Sequence, residues 1–260
     1  MKNSATKKIY ELIERYPALK KAVKIEDNLE SPPPQKLGKV KTKKPATEKI
    51  YELIERYPAL EICKEDLLAA TEKICNAFKA GNKLITCGNG GSAADALHIV
   101  GELMKGFALP RKIEDFDADF LKTAEKIFPS DAEYFKKNLQ CALPAISLVG
   151  ETALTTAFAN DNAPDLSFAQ QLFGIGRHGD ILLAISTSGN SANVIYAVKV
   201  AKILGVTSIV LTGQSGGKLK NLADITICAP SNTTYQIQEL HLPIYHALCL
   251  AAENEFFSQM

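Results

Sequence analysis

No stretch of this 260-residue chain approaches the ~20 consecutive apolar residues that a helix needs to cross a bilayer. The basic N-terminus is not followed by the apolar core of a secretory leader, so a cytoplasmic protein is expected. The six cysteines (Cys63, Cys75, Cys87, Cys141, Cys228, Cys249) form no CxxC pair and no zinc-ribbon spacing, and read as reduced, mostly buried, small apolar residues. The serine-rich segment at residues 185–191 has neither a GxxxxGK[ST] lysine nor a GxGxxG spacing, so nucleoside triphosphates and dinucleotides are poor candidates and no nucleotide cofactor is expected. No helix-turn-helix segment is recognisable, which argues against a DNA reader.

Two glycine-serine loops stand out instead: Cys87-Gly-Asn-Gly-Gly-Ser92, and Ile185-Ser-Thr-Ser-Gly-Asn-Ser191. Each follows a short apolar run and precedes a stretch of helical periodicity, so each reads as a strand, a tight turn and a helix start. Unpaired amides and the dipole at a helix N-terminus attract anions. In the second loop Ser186, Thr187, Ser188 and Ser191 offer four hydroxyls within six residues, enough to surround one phosphate monoester with neutral donors. A phosphorylated small metabolite is the expected ligand class.

Ala5–Leu19 recurs as Ala46–Leu60 with one change, Lys7 to Glu48. Two copies are too few for a solenoid, so a local duplication is expected. The lysine-rich segment between them carries Pro32-Pro33-Pro34 and reads as an extended linker. Residues 1–45 carry a net charge of +7 against −6 for the remainder. Residues 1–44 are therefore expected to be a basic flexible tail, and residues 45–260 one domain. After a helical lead-in to Ala80, apolar runs at Leu84–Thr86, Ala145–Leu148, Ile181–Ile185, Ser208–Leu211 and Ile225–Ile227 alternate with helical segments. That rhythm predicts an α/β fold, a parallel sheet with helices on both faces and its ligand site at the carboxyl ends of the strands. Residues 108–143 interrupt the rhythm as an insertion, with a helix opened by a capping box at Ser130-Asp-Ala-Glu133.

Acid–base chemistry has candidates on two helices. His98 and Glu102 are four residues apart on one helical face. Gln238 and His246 follow on a later helix, which Pro243 is expected to kink. A carboxylate, an amide and imidazoles beside a phosphate cradle form a proton-moving set. His178 and His241 have no such relation and read as structural.

Residues 84–107, 181–213 and 237–249 together resemble the sugar isomerase (SIS) domain of the phosphoheptose isomerases. GNGGS, HxxxE and QExHxxxxH in combination carry the resemblance, since the serine loop alone would mark any phosphosugar-binding SIS domain. It implies a doubly wound, five-stranded parallel sheet in flavodoxin-like order. It also implies conversion of sedoheptulose 7-phosphate to an aldoheptose 7-phosphate, in homotetramers with sites between subunits. The implied acid–base pair is Glu102 and His246, with open roles for the two. Implied substrate contacts fall on Asn89, Gly90, Ser92, Asp161, Ser186, Thr187, Ser188, Ser191 and Gln238. Several members carry one zinc on the residues matching His98, Glu102, Gln238 and His246, where a metal would compete with imidazole proton transfer. The segment Tyr235-Gln-Ile-Gln-Glu239 lacks the arginine that many relatives carry in it, and the insertion is longer than the usual connection. Two other classes remain: a module binding the replication initiator, whose members are expected to lack the last histidine, present here as His246, and a phosphosugar sensor. No nucleic-acid or membrane partner is expected.

Overall fold

A computed structural model of the chain describes residues 45–258. The first copy of the repeat, the linker and the tail lie outside those residues. The second copy forms α1 (Glu48–Arg56) and then turns at Pro58 into a 3-10 segment, Pro58–Cys63, before α2 (Lys64–Lys79). The lead-in is therefore two helices. Tyr57 precedes proline, is pushed out of the α region and has φ −132° and ψ 73°.

Five strands follow: β1 (Leu84–Gly88), β2 (Ala145–Ser147), β3 (Ile181–Ile185), β4 (Thr207–Thr212) and β5 (Ile225–Cys228). All pairings are parallel, in the order β2-β1-β3-β4-β5. β1 and β3 are buried along their whole length, as both faces of a doubly wound sheet require. Alternate residues feed two cores. Leu84, Leu183, Ile185 and Leu211 pack with Ile99 and Leu103 of α3 (Gly91–Met104) and Ile244 and Leu248 of the last helix. Ile85, Cys87, Leu182, Ala184 and Val210 face the opposite core.

The insertion differs from the expectation. It holds three short helices, α4 (Ile113–Phe116), α5 (Ala118–Ile127) and α6 (Ala132–Asn138). The capping box does not form: Asp131, not Ser130, is the N-cap of α6, and its side chain caps nothing. The hydroxyl of Ser130 turns to the Asp131 carboxylate instead, at 3.4 Å. The remaining helices are α7 (Thr152–Asp161), α8 (Ser167–Ile175), α9 (Ala192–Leu204) and α10 (Thr234–Phe257). α10 runs through Pro243 as one element. Core residues Val194, Ala197, Val198 and Ala201 of α9 lie in the second cluster, so α3 and α10 share one face of the sheet and α9 covers the other. Five of the six cysteines are buried and all are free thiols. No helix among the described residues is long and apolar enough to cross a membrane.

Candidate active site

The sheet order reverses direction between β1 and β3, which are neighbours with Gly88 paired to Ile185. Both glycine-serine loops therefore leave the sheet side by side at the switch point, where open α/β sheets bind ligands. Gly90 takes φ 56°, and Gly189 takes φ 64°. At Gly189 a β-carbon would also collide with the Gly216 carbonyl oxygen, so only glycine fits there.

The serine loop is held open by its own contacts. Ser186 and Ser191 share a hydrogen bond at 3.0 Å, and Asn190 N–H donates to Ser188 Oγ at 3.2 Å. Ser186 is buried at the loop floor, while Ser188 is exposed. Ser191 is the N-cap of α9 and its side chain makes no capping bond; the first-turn amide of Val194 donates instead to Asn193 Oδ1 at 3.0 Å. The two loops are stitched by a reciprocal amide pair absent from the sequence reading. Asn89 Nδ2 donates to Asn193 Oδ1 at 2.9 Å and Asn193 Nδ2 returns to Asn89 Oδ1 at 2.8 Å. Gln238, in the first turn and a half of α10, packs over Gly91, where an added β-carbon would stand 2.6 Å from its Nε2. Ser92 is buried beneath this loop. Asp161 is exposed at the end of α7, where it accepts a hydrogen bond from Asn160 at 2.9 Å.

A second cluster lies further along α3 and α10. His98 Nε2 is 3.1 Å from Glu102 Oε1, and Lys105 Nζ donates to Glu102 Oε2 at 2.9 Å. The other nitrogen, Nδ1, meets the Tyr245 hydroxyl at 3.0 Å, and that hydroxyl donates to Asp95 at 3.3 Å. The His246 ring sits 5.1 Å from that of His98 and 5.3 Å from that of Phe107. Its Nε2 is buried and has no partner among the described residues.

Electrostatics divide these groups. Burial pushes the Glu102 pKa up, but the hydrogen bonds and charges of Lys105 and His98 outweigh it, so the carboxyl stays below its ordinary value. His246 is lowered by burial and by its neighbour His98, against the pull of Glu102. Near neutral pH the site thus pairs an ionised carboxylate with a neutral imidazole, the forms required of two proton acceptors. Asp95 is raised by burial despite its bond from Tyr245.

The chemistry of the zinc set suits that metal, but its geometry within one chain does not. Both nitrogens of His98 are engaged, and Gln238 and His246 are separated by about 12 Å of helix. Among the described residues, no group of three or more His, Cys, Asp or Glu side chains is arranged to hold an ion. Within one chain the set does not converge on an ion as it stands, and no step below passes through one.

A flavodoxin-like sheet with a serine-rich anion loop at its switch point defines the class of phosphosugar-binding SIS domains. Family profiles described as SIS domain match residues 48–117 and 154–251. The phosphoheptose isomerase of Akkermansia muciniphila is 37% identical over 186 residues, which cover 71% of this chain and 83% of the relative. That of Aliarcobacter butzleri is 38% identical over 75% of this chain and 88% of its own. The solved phosphoheptose isomerase of Neisseria gonorrhoeae is 32% identical, with a TM-score of 0.60 over 79% of this chain and 95% of that one. The Francisella tularensis enzyme gives 30%, 0.61, 80% and 98%. The chain belongs to the phosphoheptose isomerase family of SIS-domain proteins.

Proposed function

We propose that this chain is an aldose–ketose isomerase that converts sedoheptulose 7-phosphate to D-glycero-D-manno-heptose 7-phosphate. The observation that carries the reading is Glu102: a carboxylate held ionised by Lys105 and His98, one ring away from a neutral His246 whose Nε2 has no partner among the described residues. Glu102 takes a proton from C1 of the ketose and returns it to C2, through an enediol. His246 exchanges protons with O1 and O2, so that the carbonyl forms at C1 as the one at C2 is reduced to a hydroxyl. The serine loop and the α9 N-terminus hold the phosphate and fix the sugar's distance from the base.

Within one chain the first glycine-serine loop and Glu102 lie far apart. Ser92 and Glu102 are ten residues apart on α3, about 15 Å along its axis, whereas C1 and the phosphorus of an extended heptose phosphate are separated by only eight bonds. The cradle of one chain and the acid–base cluster of another would complete a site. Leu97 and Met104 of α3 and Leu242 of α10 are 40–50% exposed beside Glu102 and His246, which supports such contact. The homotetramer implied by the resemblance provides it. Incubation with sedoheptulose 7-phosphate should yield aldose product, and light scattering should give a mass above that of one chain. No product from a folded oligomer would overturn the reading.

A further inference from the structure

Behind the acid–base cluster lies a buried ion pair with no part in the chemistry above. Glu253 of α10 is 1% exposed, and its carboxylate accepts four hydrogen bonds: from the amides of Phe107, Ala108 and Leu109 at 2.7, 2.8 and 3.1 Å, and from Arg111 Nε at 2.9 Å. Arg111 is fully buried, with its guanidinium 4.6 Å over the Phe257 ring. Its other nitrogens donate to the carbonyls of Leu103 at 2.7 Å and of Glu102 at 3.2 Å. Those carbonyls belong to the last turn of α3, where intrahelical partners run out and a cation is favoured.

One pair therefore reaches both members of the acid–base set. Arg111 fixes the backbone of the turn that carries Glu102. Glu253 fixes the loop that places Phe107 against His246. Buried ion pairs seldom stabilise a fold better than apolar side chains of the same volume, so a fully satisfied one is best explained by the geometry it imposes.

We propose that Arg111 and Glu253 are positioning residues that set the alignment of Glu102 with His246. The kinetic part of this rests on the isomerase reading; the structural part does not. A second buried carboxylate serves as a control. Buried Asp180, just before β3, pairs with Lys83 and accepts the amides of Lys83 and Arg177, neither of which belongs to the cluster. Glu253→Gln presents an amide N–H to three backbone donors, and Arg111→Lys cannot span two carbonyls and a carboxylate.

The test combines kinetics with NMR of the four histidine rings in the full-length protein. Glu253→Gln and Arg111→Lys should lower kcat at least ~10-fold, with KM and inorganic-phosphate affinity within twofold. The ring signals of His98 and His246 should shift while those of His178 and His241 stay in place. Asp180→Asn should lose comparable Tm and keep kcat within twofold. Where a single variant does not fold, Arg111→Met with Glu253→Leu removes both charges together and must show the same kcat loss. Wild-type turnover in either pair variant, in the double variant, or an equal kcat loss in Asp180→Asn would overturn the proposal. If the wild type itself does not turn over, the isomerase reading fails separately. The positioning claim is then decided by the ring signals, and unshifted His98 and His246 in Glu253→Gln would refute it.

Discussion

Acidification should unfold this protein partly through a histidine outside the active site. His241 is fully buried on α10, and its Nε2 donates to the carbonyl of Thr212 at the end of β4, at 3.1 Å. Its Nδ1 has no partner among the described residues. A second proton would place an unmatched donor and a charge in the interior, and burial drops the pKa from 6.5 to about 4 against the opposing bond to Thr212. The unfolded chain takes up its proton near pH 6.5, and the folded chain resists until about 4. In that window the unfolded state binds more protons, so this contribution to stability is complete above 6.5 and is lost as pH falls. At 1.36 kcal/mol per pKa unit the loss by pH 4 comes to about 3 kcal/mol. That is a large share of the 5–15 kcal/mol typical of a domain. Urea unfolding of wild type and His241→Leu between pH 7 and pH 4 measures it. The variant loses the Thr212 bond at every pH, so its curve should start lower and be flatter by about 3 kcal/mol over the range. Parallel curves would refute the argument.

Four further outcomes are expected. Glu102→Gln and His246→Asn should each lower turnover at least ~100-fold while the protein stays folded, as checked by steady-state kinetics and circular dichroism. Ser186→Ala with Ser188→Ala should weaken sugar phosphate and inorganic phosphate together, by about 0.5–1.5 kcal/mol per lost hydrogen bond in calorimetry, and free sugar should bind poorly to the wild type. Because His98 is spent on Tyr245 and Glu102, metal-free protein should turn over; activity that vanishes with a chelator and returns only with zinc would contradict that arrangement. Removing residues 1–44 should leave turnover, oligomer mass and Tm unchanged. Ile50 and Leu53 already supply the buried face of α1, and its connection to the domain is direct.

The sequence by itself determined the strands, the two loops and their order. Continuous apolar runs bounded by glycine and serine leave few choices but buried parallel strands, and Ile181–Ile185 has the same limits in the fold as in the pattern. Helical spacing also sufficed to pair His98 with Glu102, because four residues make one turn. Local signals misled where a local rule had a competitor. Pro58 split the lead-in helix, and the N-cap position of α6 fell on Asp131 rather than Ser130, with no side-chain cap. Only the tertiary structure decided which distant groups meet. Asn89 and Asn193 are 104 residues apart, Arg111 and Glu253 are 142 apart, and His98 and Tyr245 are 147 apart. No periodicity links such positions, since their contact depends on which sheet face α3, α9 and α10 cover.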